Sequence, residues 1–278
     1  MLLSFGVAIA GTLARGQVGP SDPKDEQRLQ AMDRIAKSIV LQKVDGGLSE
    51  TIAMLDNPIY RFNDSARSFS DGTVWAWGRS GRPAALLTLS VEKKEGVLRC
   101  LVELTSLSAF PISASVMDDW AWTPQTAGAI ARTLPEAPRP AENEASRLLQ
   151  MRGMARRFRA FEFFEPVAQA QMERYELRLL PQPVHRYSDP KSGLLDGAIF
   201  VFAYGTNPEI TLLIEARREG KDESEPSWMY GLARIAGAEL HVELDRDEVW
   251  KQSRVPFPSR RDPYGIIVIP IEEVGITR

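Results

Sequence analysis

Pro58-Ile-Tyr-Arg-Phe-Asn-Asp64 and Pro183-Val-His-Arg-Tyr-Ser-Asp189 open two stretches, 58–89 and 183–214, that align without a gap at a constant offset of 125. Seven of the 32 aligned positions are identical: Pro58/Pro183, Arg61/Arg186, Asp64/Asp189, Asp71/Asp196, Gly72/Gly197, Pro83/Pro208 and Leu87/Leu212. Ordinary residue usage gives about two by chance. The differences keep size and polarity: Ile59 becomes Val184, Phe62 becomes Tyr187, Val74 becomes Ile199, and Trp75 and Trp77 become Phe200 and Phe202. Repetition of this kind predicts two units of one design, produced by tandem duplication.

Upstream, Arg28, Leu29, Met32, Ala36 and Lys37 match Arg147, Leu148, Met151, Ala155 and Arg156 at an offset of 119. The offset grows by six between the two blocks, which places an insertion within 157–182, in a helix-to-strand connection where length is tolerated. Residues 123–142 hold Pro124, Pro135, Pro138 and Pro140 with little periodicity and read as a linker. The division is therefore an apolar segment at 1–17, a first unit at 22–122, the linker at 123–142, and a second unit at 143–278 with a C-terminal strand extension.

Each unit opens with a helix. Asp22-Pro23 supplies an N-cap with Pro at the first helical position, and Leu29, Met32, Ile35, Ala36, Ile39 and Val40 recur at helical spacing. The second stripe is Leu148, Met151, Met154, Ala155 and Phe158, a pattern of core packing rather than of a cofactor box. Period two follows. In 73–77 Trp75 and Trp77 share one face, and in 198–204 so do Phe200, Phe202 and Tyr204. The turn formers of 78–83 and 203–208 predict hairpins, with return strands at 87–91 and 212–216. Further strands are read at 97–104, 112–117, 228–235, 239–244 and 266–271, the last without a counterpart. The result is an α+β fold, two helices each with a four- or five-stranded antiparallel sheet.

In outline this unit is similar to cystatin-like, NTF2-like and hot-dog folds, which host enzymes and binding modules alike. Leu177-Arg-Leu-Leu-Pro-Gln-Pro-Val-His-Arg-Tyr187 followed by Leu194-Leu-Asp-Gly-Ala-Ile-Phe-Val-Phe202 resembles a group of uncharacterised bacterial proteins typical of planctomycetes. That resemblance covers roughly the second unit and implies no particular activity.

Composition narrows the function. The 278 residues carry 34 basic and 37 acidic side chains, a net charge of -3, which gives no electrostatic reason to expect nucleic acid. One Cys excludes an intrachain disulfide and a cysteine-based zinc site. Leu2 to Ala10 form an apolar run ahead of Thr12-Leu13-Ala14, similar to a signal-peptide h-region with a small-x-small cleavage site, although no basic n-region precedes it. The run is too short to span a bilayer as a helix. Export to the periplasm or beyond is the expectation, a cytoplasmic protein with an apolar tail the alternative.

Arg61/Arg186, Asp64/Asp189 and Asp71-Gly72/Asp196-Gly197 are the polar residues common to both units. An Arg with carboxylates can bind or polarise a ligand, but the simpler account is structural, with Asp-Gly in a tight turn entering a strand and Arg tying the strand to it. His185, matched by Tyr60, and His241 form no recurring pair and read as structural, and Cys100 reads as a buried hydrophobe. Arg152, Arg156, Arg157 and Arg159 are placed on one helix, with Phe inward and Arg outward. Trp120 and Trp122 read as an exposed pair able to stack on sugars or peptides. Walker A, G-x-G-x-x-G and H-E-x-x-H signatures are absent from the sequence. No metal and no cofactor is expected. The expected function is a non-catalytic binding or scaffolding protein of the bacterial cell envelope, contacting a protein or small ligand through Arg61, Arg186, Asp71, Asp196, His185, Trp120 or Trp122, and compatible with oligomerisation. The alternative is a hydrolase or isomerase with a hot-dog or NTF2-like cleft.

Overall fold

A short apolar stripe on each helix finds its partner in the aromatic face of an antiparallel sheet. The computed structural model describes residues 23–64, 69–94, 97–116, 120–164, 172–218 and 225–270. The apolar segment at 1–17, Asp22, and Asp118-Asp119 lie outside them. Helix α1 (Pro23–Ser38) is followed by β1 (Val40–Asp45), β2 (Leu48–Ile52), β3 (Tyr60–Asp64), β4 (Phe69–Trp77), β5 (Ala85–Lys94), β6 (Val97–Ser106), β7 (Ile112–Val116) and β8 (Trp120–Trp122). After β9 (Arg132–Thr133) come α2 (Glu144–Ala155), β10 (Phe158–Phe164), β11 (Glu173–Leu179), β12 (His185–Asp189), β13 (Leu194–Tyr204), β14 (Asn207–Arg217), β15 (Ser227–Arg234), β16 (Glu239–Leu244) and β17 (Asp247–Gln252). Strand β18 (Tyr264–Pro270) follows. The α+β class with antiparallel sheets holds.

Both halves use one pairing scheme. Strand order β2-β1-β7-β8 is repeated as β11-β10-β16-β17, and β6-β5-β4-β3 as β15-β14-β13 with β12 on β13. Registers match residue by residue. Trp75 faces Leu87 as Phe200 faces Leu212, Leu41 faces Ile52 as Ala160 faces Leu177, and Ala114 faces Trp122 as Val242 faces Trp250. Shifts in register recur between Phe69 and Asp71 and between Leu194 and Asp196. Each half therefore holds one helix and eight strands rather than four or five, the helix meeting chiefly β4 and β5 in the first half and β13 and β14 in the second. The strands that the sequence reading lacks are β1, β2, β3, β8, β9, β10, β11, β12 and β17.

Strand β10 corrects a second expectation. Helix α2, capped by the Asn143 side chain on the Ser146 N–H at 2.8 Å, stops at Ala155. Phe158 and Ala160 then enter a strand whose alternate side chains face the core, so Arg157 and Arg159 lie beyond the helix that carries Arg152. The connection from β10 to β11 holds eight residues where that from β1 to β2 holds two, Gly46 and Gly47. The difference equals the change in offset, so the insertion lies in a hairpin and not between helix and strand.

Four buried clusters follow from this layout, three large and a small fourth of Leu180, Val201 and Ala203. The first surrounds Met32, Ile35, Trp75, Trp77, Leu87 and Trp122, the second Met151, Met154, Phe200, Phe202, Leu212 and Leu232. The third is built from the opposite faces of both sheets: Phe62, Val74 and Leu86 meet Tyr187, Ile199 and Leu213. The two halves are joined by a hydrophobic core of their own, and each sheet is covered on both faces.

The edges are exchanged. Strand β18, which follows the last strand of the second half, pairs β6 of the first half along seven residues. Strand β9, which follows the last strand of the first half, pairs Met229 and Tyr230 of β15 in the second. The stretch 123–142 is thus partly a strand, and β18 has a counterpart in β9. No helix among the described residues is long and apolar enough to cross a membrane.

Candidate functional site

The recurring Arg and Asp are brought together, and they are used on each other. Asp71 accepts from Arg61 Nε at 3.1 Å and Nη2 at 2.8 Å, and Arg28 of α1 lies 4.0 Å away. Asp196 accepts from Arg186 Nε at 2.9 Å and from Arg147 Nε of α2 at 2.8 Å. Each carboxylate, almost fully buried, links the helix, its own strand and the neighbouring strand. Charge-assisted, bidentate pairing of this kind fixes geometry. Asp71-Gly72 and Asp196-Gly197 lie inside β4 and β13, after the register shift, and not in turns. The glycines serve a neighbour: a Cβ on Gly72 would stand 2.3 Å from the Phe62 ring, and one on Gly197 2.5 Å from that of Tyr187. The side chains of Asp64 and its surroundings fall outside the described residues.

A second ion cluster spans the halves. Glu215, fully buried on β14, accepts from Arg82 Nε at 2.8 Å and Nη2 at 2.6 Å, from Arg217 Nε at 2.7 Å, and from the Tyr187 hydroxyl at 2.8 Å. Burial pushes the Glu215 carboxyl up, but the two guanidinium groups outweigh it and hold the group below the usual range. Burial, followed by the Glu215 charge, keeps the Tyr187 phenol neutral well above its ordinary value. The halves also meet at Gly81, whose N–H donates to Ser188 O at 3.1 Å, and at Asn63, whose N–H donates to the Thr206 side-chain Oγ1 at 3.2 Å. The two residue pairs, Gly81 with Ser188 and Thr206 with Asn63, are equivalent under the offset of 125, although the bonds between them differ.

The remaining sequence candidates are dispersed. His185 stacks on Tyr187 at 5.9 Å between ring centres, and burial lowers its pKa. His241 is buried against Phe161, with Nδ1 2.6 Å from Glu248 and Nε2 3.0 Å from Glu239. Cys100 is buried, its thiol pushed up to about 12 by burial, which makes it inert as a nucleophile. Trp122 is not exposed: it is fully buried and its Nε1 donates to Asp262 O at 2.9 Å. Trp120 packs on the first core, with the Arg260 guanidinium 5.8 Å from its ring. Among the described residues no group of three or more His, Cys, Asp or Glu is placed to hold a metal ion.

Two of the indentations that combine apolar walls with polar groups bear on function. One, of about 220 Å³, is lined in part by Glu103, Asn207, Glu209, Tyr264, Phe163 and Ile266. There the Tyr264 hydroxyl donates to Glu103 and Asn207 Nδ2 to Glu209 at 2.6 Å. Burial, then the Glu103 charge, raises the Tyr264 pKa well above normal. Arg234 beside it donates to the carbonyls of Ala236, Ala238 and Ser253. None of these residues stands out in the sequence, because Glu103 and Glu209 alternate with apolar neighbours as any surface strand residue does.

The other is larger, about 440 Å³, between β15, β17 and the chain entering β9, and lined by Tyr230, Leu232, Trp250, Gln252, Arg132 and Thr126 among others. This lies in the size range of ligand clefts. Trp250 is the register counterpart of Trp122, yet it is half-buried and its indole N–H has no hydrogen-bond partner among the described residues. Comparison with protein-family models, with curated proteins and with solved structures finds no match.

Proposed function

We propose that the chain is a non-catalytic binding protein of the bacterial cell envelope, descended by tandem duplication of an α+β unit, that takes its ligand at the Trp250 cleft. The observation that carries the reading is that the cleft is open in one half while its equivalent beside Trp122 is filled by the chain itself. Duplication is supported by the constant offset and the matching registers. The envelope location rests on the apolar run Leu2 to Ala10 and is tested by cell fractionation. Arg61, Arg186, Asp71 and Asp196 act as struts: Arg61→Ala and Arg186→Ala should lower the melting temperature and leave ligand binding intact.

The second reading, a hydrolase or isomerase, draws on the buried carboxylates and phenol around Glu103, Glu209 and Tyr264. A panel of nitrophenyl esters and acyl thioesters separates the two. Binding alone predicts no turnover above buffer; turnover abolished by Glu209→Gln at unchanged melting temperature would establish the enzyme instead.

A further inference from the structure

Strand β17 ends its sheet. Among the described residues it pairs only β16, and that ladder is interrupted by a register shift between Val242 and Glu243. The same strand supplies Trp250 and Gln252 to the wall of the cleft. On the face turned away from the core, the side chains that tie it to β16 converge on His241.

His241 lies flat on the Phe161 ring, 4.6 Å between centres, with the Phe163 ring edge-on at 5.5 Å, and is buried on a face whose charged neighbours are mostly exposed. Its Nδ1 stands 2.6 Å from a Glu248 oxygen of β17 and its Nε2 3.0 Å from a Glu239 oxygen. The same Glu239 oxygen meets Lys251 Nζ of β17 at 3.3 Å. The His241 contact first, and Lys251 second, hold the Glu239 carboxyl below the usual range. Other charged groups on this face are Glu243 of β16, Arg159 of β10, and Arg174, Glu176 and Arg178 of β11. Arg174 is paired with Glu176 at 2.7 Å and covers the Phe161 ring at 3.6 Å.

An ionised carboxylate only accepts hydrogen bonds, and a neutral imidazole donates from one nitrogen alone. With an acceptor on each nitrogen, the ring as placed carries both protons. Remove one, and a ring lone pair faces a carboxylate oxygen at 3.0 Å or less. Loss of either contact weakens β17, because Glu248 belongs to it and Glu239 holds its Lys251. We propose that His241 is a proton-operated latch on β17, closed when the doubly protonated ring bridges Glu239 to Glu248 and opened by loss of one proton. Its stabilisation is complete on the acid side of the ring's titration and is lost as the pH rises through it. Because Trp250 and Gln252 ride on the same strand, opening reshapes the cleft wall. The latch stands on the contacts of β16 and β17 and holds whatever the cleft takes.

The test is amide hydrogen exchange of the full-length protein, read by mass spectrometry at about pH 5.5 and about pH 8.5 and corrected for intrinsic rates. Protection of 247–252 should fall about tenfold across that range, as for loss of one charge-assisted hydrogen bond, while the edge strand 264–270 changes little. The 15N signals of the His241 ring should pass from doubly to singly protonated over the same interval. His241→Phe keeps the stack on Phe161 and should leave 247–252 equally open at both pH values. Glu248→Gln, on a half-exposed side chain, serves if that variant folds poorly: an amide can pair with either form of the ring, so the pH dependence should largely vanish. Protection of 247–252 that is independent of pH in the parent, or a pH dependence that Glu248→Gln retains in full, overturns the proposal.

Discussion

Where the halves meet, Phe62 and Ser90 occupy the positions in the first that Tyr187 and Glu215 occupy in the second, each aromatic ring lying over its glycine. The backbone scheme is the same and the chemistry is not. On one side stand a ring and a small hydroxyl whose oxygen has no hydrogen-bond partner among the described residues. On the other, a phenol, a carboxylate and two guanidinium groups form one network, completed by Arg82, which reaches across from the first half. The register counterpart of Arg82 is Asn207, whose side-chain amide donates within its own strand, to Glu209. A shared fold thus constrains where side chains point while leaving open how each face is stabilised.

The sharpest test of this difference is the tryptophan pair. Trp122→Ala removes a fully buried ring and should cost about 4 kcal/mol, whereas Trp250→Ala, at a half-open cleft, should cost about 1 kcal/mol; urea midpoints of the two variants measure the gap. Equal costs would mean that both rings are sealed. Next comes the interface. Arg82→Ala leaves Glu215 with Arg217 and Tyr187 only and should lose about 3 kcal/mol, against about 1 kcal/mol for Asn207→Ala.

The Glu215 carboxyl is held low in the folded state, so its contribution is complete above its unfolded value near 4.3 and is lost as the pH falls through the folded value. Denaturation followed as the pH falls below about 4.3 should therefore show a loss that is smaller in Arg82→Ala than in the parent. A slope identical in both would show that Arg82 does not hold the charge. The smallest contrast lies in the struts: Asp196→Asn should cost about 1.5 kcal/mol. Asp71→Asn should cost somewhat less, because Arg28 stands 4.0 Å from Asp71 where Arg147 is bonded to Asp196 at 2.8 Å.

Hairpins β4–β5 and β13–β14 were legible because strict alternation of Trp, Phe and Leu with small residues leaves only one buried face. Strands β1 and β2 were not, although Gly46-Gly47 is a hairpin signal, because Leu41-Gln-Lys-Val44 runs on from a helical stripe and carries few core residues. Arg157 and Arg159 hid β10 in the same way: read with Arg152 they continue a helix, and only the burial of Phe158 and Ala160 separates the two periods. The Arg–Asp pairs were visible through repetition, but their purpose depended on a third residue from the helix. The Trp250 cleft was beyond reach, since it exists through the path of residues 124–131 and 259–265, which no periodicity encodes.

Exchange of β9 and β18 has a bearing on how the chain is made. The rim of β6 finds its mate only when residues 264–270 have emerged from the ribosome, roughly ten to thirty seconds after β6 itself at ordinary synthesis speeds. Until then the nascent first half presents an apolar ladder with open hydrogen bonds, the kind of surface that invites chaperones or clumping. A chain cut short before Tyr264 should accordingly come out of cells as aggregate, and supplying 257–278 in trans should rescue it.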